Sequence, residues 1–342
     1  MRTPPTNRWR HLLALLLIAA CGGEQENELT IDRHIRLITP DDSASLRDSV
    51  IDSIVRIGDI VLHDSVLTLT DARARRFVQL VPGRFGRIQG RKGNGPGEFQ
   101  FPLYTDAYGS QSVVGDAGNS RFQFYGTDGQ LTRILKSPVS VHHFALESDS
   151  TLLVAIADSM WYLARVNMRG EWQPVARRPI RRQAQTGTVL TPRVRHDQLV
   201  AMLDKGSFVV FDQNDGVLRQ YDTAGNLSRE RHLPPDILQR LLQARDEDMS
   251  ALGGSFGGFL SAPIVKDLSG DRRGHLLMLM SARPVGALWI DFNQDRVVAL
   301  TSNGEVRGDP LLSASAASVS GDTVAISAFD GSVRIRRIPP SE

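Results

Sequence analysis

One cysteine, Cys21, is all that the 342 residues contain. No intramolecular disulfide can form, so the fold must stand on its buried core. A membrane-spanning run is missing as well. The apolar stretch from Leu12 to Ala20 has nine residues, against roughly 20 for a spanning helix. Charge of one sign is not in excess: 40 Lys and Arg against 38 Asp and Glu give a formal +2. A dedicated nucleic-acid binder is usually far more basic, so nucleic acid is not an expected partner. What is present is ordinary globular composition, 41% apolar and 23% charged. That is enough apolar surface to offset the ordering entropy of a folded chain, which excludes disorder throughout.

The first residues have a secretory pattern. Arg2, Arg8 and Arg10 precede the short apolar run, as the charged and hydrophobic regions of a signal peptide require. Ile18-Ala19-Ala20-Cys21 then places small residues directly before the cysteine. This string resembles the lipobox of bacterial lipoproteins, with Ile18 where that family most often has Leu. The resemblance implies cleavage before Cys21 and a diacylglyceryl thioether on its sulfur. Multiple acyl chains hold a protein on a membrane far better than one. Gly22 and Gly23 follow, with no Asp after the cysteine; in Gram-negative relatives of that family this implies the outer membrane. Removing residues 1–20 removes three arginines and no acid, leaving 37 − 38 = −1. Residues 21–28 are polar after the cysteine and are expected to be a tether, with a single domain over 29–342.

The body of the chain carries short strand-like runs separated by Gly, Asp, Asn or Ser every 8–12 residues, a rhythm of sandwiches, barrels and propellers. Internal repetition separates these. Val66 to Thr70, Asp71, four loop residues, Arg76 and Phe77 match Ser112 to Gly115, Asp116, four loop residues, Arg121 and Phe122. The two aspartates are 116 − 71 = 45 residues apart, the period of a four-stranded propeller blade. Weaker copies run through Thr151–Met168, Ser207–Asp222 and Thr323–Ile338. One stretch departs from the strand rhythm. Ile237, Leu238, Leu241 and Leu242 have helical spacing after Pro235, which predicts a short amphipathic helix inserted at about 235–250.

Residues 93–102, Gly-Asn-Gly-Pro-Gly-Glu-Phe-Gln-Phe-Pro, lead into Val113-Val114-Gly115-Asp116, Asn119-Ser120-Arg121 and Phe122 to Tyr125. This unit resembles one repeat of the NHL-repeat and TolB-like six-bladed β-propellers. The expected fold class is therefore all-β, a six-bladed β-propeller of four-stranded antiparallel blades. About 320 mature residues divided by six allow roughly 53 per blade. Leu29 to Leu37 is an alternating orphan strand expected to complete the last blade beside Val333–Arg336. The loop joining the second and third strands of a blade and the links between blades should share one end of such a ring.

Most candidate chemistry has a plainer reading. Gly253-Gly254-Ser255-Phe256-Gly257 matches the serine-hydrolase string, but it follows a helix where that motif needs a strand before it. Asp291, Asn293 and Asp295 have calcium-loop spacing, yet Arg296 and Ser302 stand where the loop needs Gly and Glu. The seven histidines of the mature chain show no metal-ligand spacing, so no metal, cofactor or catalytic residue is assigned. Asp71 with Arg76 and Asp116 with Arg121 are expected to hold turns. Arg177, Arg178, Arg181, Arg182, Arg193 and Arg195 crowd one link, with Arg91 and Lys92 on the same expected face. Arg91, Lys92, Arg181, Arg182, Arg193 and Arg195 are the candidate ligand-binding residues, a basic rim that would attract an anionic partner. The expected function is a lipid-anchored extracytoplasmic binding or scaffolding propeller for an envelope protein, peptide or glycan. The alternative is a metal-dependent propeller lyase or lactonase.

Overall fold

A computed structural model of the chain describes residues 28–36, 44–45, 54–64, 66–80, 86–156, 160–178, 198–204, 206–213, 215–251, 263–281, 285–301, 314–321, 323–328 and 333–338. Two short strands, β1 (Arg33–Arg36) and β2 (Ala44–Ser45), come first. The first sheet is β3 (Ile57–His63), β4 (Val66–Asp71), β5 (Arg76–Leu80) and β6 (Arg87–Gln89). The second is β7 (Pro102–Tyr108), β8 (Gln111–Asp116), β9 (Arg121–Gly126) and β10 (Leu131–Lys136). The third is β11 (Phe144–Ser148), β12 (Thr151–Ala155), β13 (Trp161–Asn167) and β14 (Trp172–Arg177). The fourth is β15 (Gln198–Met202), β16 (Phe208–Asp212), β17 (Val217–Tyr221) and β18 (Leu227–His232), followed by helix α1 (Pro235–Ala251). The fifth holds β19 (Val265–Gly270), β20 (His275–Met280), β21 (Val285–Asp291) and β22 (Arg296–Thr301). β23 (Ala314–Ser320), β24 (Thr323–Ala328) and β25 (Val333–Arg337) belong to the last.

The first strands of the sheets touch in the order β3, β7, β11, β15, β19, β23 and back to β3. The sheets thus stand as blades around a central channel, and the chain is an all-β propeller with one helix. The expected fold class is corrected in its detail. Five sheets are four-stranded blades, not six. The fifth sheet has five strands, because β1 lies parallel beside β22, with Arg33 opposite Val298 and Arg36 opposite Thr301. The closing strand is corrected with it. The segment 29–37 does not complete the last blade; the outer strand there is β2, with Ala44 opposite Ile335. The physical reason lies at Leu29. Its side chain, 1% exposed, enters the apolar layer between the fourth and fifth sheets beside Leu233, Ile237 and Leu241. Its N–H donates to the His232 carbonyl, and Asp32 closes on Val297 in both directions. Burying Leu29 commits the next residues to the neighbouring blade.

Burial follows from the packing of blades face to face. A middle strand is covered on both faces, so it is apolar without alternation: His-Leu-Leu-Met-Leu-Met in β20 is buried from Leu276 onward, as a doubly covered strand requires. Outer strands face water and read as mixed, as in Leu-Thr-Arg-Ile-Leu-Lys of β10. Each adjacent pair of sheets encloses its own apolar cluster. Between the first and second sheets it is Phe77, Phe99, Val114 and Tyr125, where three aromatic rings fill the gap.

Helix α1 covers the end of the fourth blade. Ile237 and Leu241 are buried, and Leu238 and Leu242 pack on the same cluster. Gly216 makes this possible: its φ is +67°, and a Cβ there would strike Leu238. At the opposite end Asp271 joins the fifth and last blades. Its carboxylate accepts the Gly321 N–H at 2.8 Å and faces His275 Nδ1 at 2.7 Å.

Two outcomes test this account. Leu29→Ala removes a buried side chain and should lower stability by about 2–5 kcal/mol; a urea midpoint equal to wild type would show that the segment is not anchored. The hydrogen bond to Asp271 raises the His275 pKa above its ordinary value. That stabilisation is complete below about pH 6.5 and is lost as pH rises through the raised value. In His275→Gln the loss over that window should disappear from denaturation midpoints.

Candidate binding face and central channel

Asp71 in the first blade and Asp116 in the second tie the segment entering the blade to the turn between its second and third strands. Asp71 accepts the N–H groups of Val55, Arg56 and Ala74 and pairs with Arg76 at 2.9 Å. Asp116 accepts those of Gln100 and Phe101 and the Asn119 amide. Arg121 donates to the carbonyls of Asn94, Gly95 and Glu98. The Gly-rich turn therefore lies against the β8–β9 turn. These are the structural roles expected of Asp71/Arg76 and Asp116/Arg121. They also fix which end of the ring carries the links between blades.

Exposed large apolar side chains concentrate at that end over the first three blades. Val55 precedes β3, Phe101 precedes β7, Val139 precedes β11, and Met160 lies in the β12–β13 turn. They are 47%, 47%, 40% and 50% exposed. The candidate residue Arg91 is on this end, exposed and bonded to Glu98 at 2.8 Å. Lys92 is exposed, and its backbone bridges Phe99. Arg177 is exposed at the end of β14. Arg178 belongs to the blade: it donates to the Trp161 carbonyl and lies 4.4 Å over the Tyr162 ring. Arg181, Arg182, Arg193, Arg195, Cys21 and the string Gly253–Gly257 lie outside the described residues. Asp295, one of the calcium-spaced acids, is bonded to Arg229 and Arg231.

The channel holds polar residues that sequence reasoning did not single out. Asp59, Asp106, His143 and Asp267 line a cavity of about 30 Å³, room for roughly two waters. All four side chains are engaged with inner-strand backbone. Asp59 accepts the N–H groups of Ile60 and Thr105, both at 2.7 Å. Asp267 accepts those of Leu268 and Ala317, both at 2.8 Å. Asp106 accepts Leu146 N–H at 2.6 Å, and His143 Nδ1 accepts Val200 N–H at 3.2 Å. With Nδ1 an acceptor, the ring proton is on Nε2, which faces Asp267 Oδ1 at 3.5 Å. Burial, and then the Asp267 charge, push the Asp59 carboxyl well above its ordinary value. Burial beside the same two acids pushes Tyr104 up to about 12. At the far end Arg272 reaches across the channel from the fifth blade to Asp106 of the second at 3.0 Å and lies over Tyr108. The signal for these groups was an acid inside an apolar strand, as in Ile-Gly-Asp-Ile-Val at 57–61 and Val-Lys-Asp-Leu at 265–268.

No family model and no curated protein sequence matches the chain. Solved structures do. A protein from Bacteroides fragilis described as exported is 14% identical, with TM-score 0.57, over 91% of this chain and 100% of that one. A gluconolactonase from Xanthomonas campestris is 12% identical, with TM-score 0.51, over 84% and 88%. The WD40 repeats of RRP9 are 11% identical, with TM-score 0.51, over 88% and 98%. These likenesses show the fold alone: an all-β propeller shared by proteins of unrelated activity. The NHL-repeat and TolB-like likeness stays confined to the one unit that carries it.

The raised Asp59 pKa gives a signed test. An acid whose pKa is raised on folding lowers stability as pH climbs from about 4, its unfolded value, through the folded value. Stability of Asp59→Asn minus that of wild type should therefore increase with pH over that range, whatever constant offset the lost staple adds. A flat or falling difference would remove Asp59 as a buried, proton-holding group.

Proposed function

We propose that this chain is a lipid-anchored extracytoplasmic propeller that binds a protein or peptide partner at the blade-link end of its first three blades. The observation that carries this reading is the exposed apolar group Val55, Phe101, Val139 and Met160 on one end of a rigid scaffold. Rigid scaffolds that present link and turn residues at one end use them for binding. The anchor rests on the signal pattern and on Ile18-Ala19-Ala20-Cys21. The channel supports binding over catalysis in its centre, because its acids and its histidine are engaged in capping backbone and its free volume is small.

The anchor and the face are tested together in cells. The full chain should take up labelled palmitate and sediment with membranes, and Cys21→Ser should do neither. A photocrosslinker at Phe101 should give a discrete adduct on the membrane that the same crosslinker at Arg169, on the other end, does not. Palmitate uptake by Cys21→Ser would end the anchor reading. Identical adducts from both ends, or none, would end the binding reading.

A further inference from the structure

Each of the four apolar residues on the proposed face has an exposed cation close to it in the chain or in strand register. Arg56 follows Val55, and Arg177 is opposite Trp161, the neighbour of Met160. Lys136 ends the strand before Val139, and the Lys92 backbone bridges Phe99, two residues before Phe101. None of these four cations has an acid partner among the described residues, whereas the acids described in that sector are held by other arginines: Asp71 by Arg76, Asp116 by Arg121 and Glu98 by Arg91. The other end of the same blades carries both signs: Asp64, Asp128 and Asp149 are exposed in its turns, Asp64 pairs with Arg273 at 3.5 Å, and Arg87 and Arg169 are exposed there as well. An acidic segment is drawn to the four cations of the blade-link end, and such a field raises encounter rates and fixes orientation.

We propose that this face docks an acidic peptide segment of a partner protein in which carboxylates alternate with large apolar side chains. The inference rests on the binding reading above and gives it a partner chemistry. Apolar side chains of the segment cover Val55, Phe101, Val139 and Met160. Its carboxylates meet Arg56, Lys92, Lys136 and Arg177. An uncharged apolar segment would leave four cations partly desolvated without a counter-charge, which is unfavourable. A purely acidic one would leave the apolar group in water.

The probe is a labelled 12-residue synthetic peptide alternating Glu with Leu and Phe, titrated onto the full chain in detergent. Two comparison peptides replace Glu by Gln, or Leu and Phe by Ser. The acidic apolar peptide should bind at least tenfold more tightly than either, and its affinity should fall as salt rises. The triple variant Arg56→Glu, Lys136→Glu, Arg177→Glu should lose at least tenfold, and so should Phe101→Ser. Arg169→Glu, on the other end, should bind as wild type does. All these side chains are exposed, and unchanged melting temperatures would verify folding. Equal affinity for the three peptides, or equal affinity across the variants, would overturn the proposal. Binding of the wild type to phosphatidylglycerol vesicles without binding to the peptide would overturn it in favour of a lipid surface. A specific Phe101 adduct in cells together with failure of the peptide would leave the binding face standing and remove the acidic segment. Failure of both would remove both.

Discussion

The inner strand of every blade is an edge. Its free N–H groups point at the channel, where little water can reach them, and an unpaired buried N–H is costly. The chain meets this at one level of the ring. Ile60, Thr105, Leu146, Val200, Leu268 and Ala317 stand at equivalent positions of the inner strands. Their N–H groups are taken by four side chains: Asp59 and Asp267 take two each, and Asp106 and His143 take one each. Four of these bonds cross from one blade to the next, so the capping of the channel is also its circumferential tie.

That constraint explains why acids lie so close together in the core. Asp59 and Asp267 each bridge two strands from opposite flanks of the channel, and their charges oppose one another. The cost is reduced by letting Asp59 hold its proton. Between the fourth and fifth blades the ring uses close backbone approach. Gly270 of β19 lies against the Met202 carbonyl of β15, a position that any Cβ would fill. Arg272 then closes one end by pairing with Asp106, the single capping acid that also meets a cation. The channel is thereby a structural axis, and the binding role we propose is placed on the rim at the other end.

What could be read in the sequence was whatever repeats or has local chemistry. The 45-residue spacing of Asp71 and Asp116 gave the blade, and Gly129, Gly170 and Gly225, each at positive φ, sit in the turns between third and fourth strands, a conformation glycine adopts without steric cost. The helix was visible in Ile237, Leu238, Leu241 and Leu242, and it runs from Pro235 to Ala251, close to the expected 235–250. What could not be read was where an orphan strand goes. Segment 29–37 alternates equally well for the last blade or the fifth; the choice is made by a single buried leucine whose partners come from residues 199–299. The channel acids stood out as acids inside apolar strands, but their partners were illegible for a similar reason. An aspartate in a strand gives no sign of which non-local N–H it will meet.

The rim shows the same division. Arg91 and Lys92 were visible as charges, but their neighbours were not, and Arg91 proves to be held by Glu98 while Arg178 is folded onto Tyr162. The cations that stay without an acid partner are less conspicuous in the sequence: Arg56, Lys136 and Arg177 stand more than forty residues from one another. They share an end of the molecule because each sits where a blade begins or finishes. A propeller turns a 45-residue period into angular position, so residues at one phase of the repeat gather on one face however far apart they are in the chain. A surface of this kind is assembled by the closure of the ring, and the same N–H caps that close the ring also hold that surface in register.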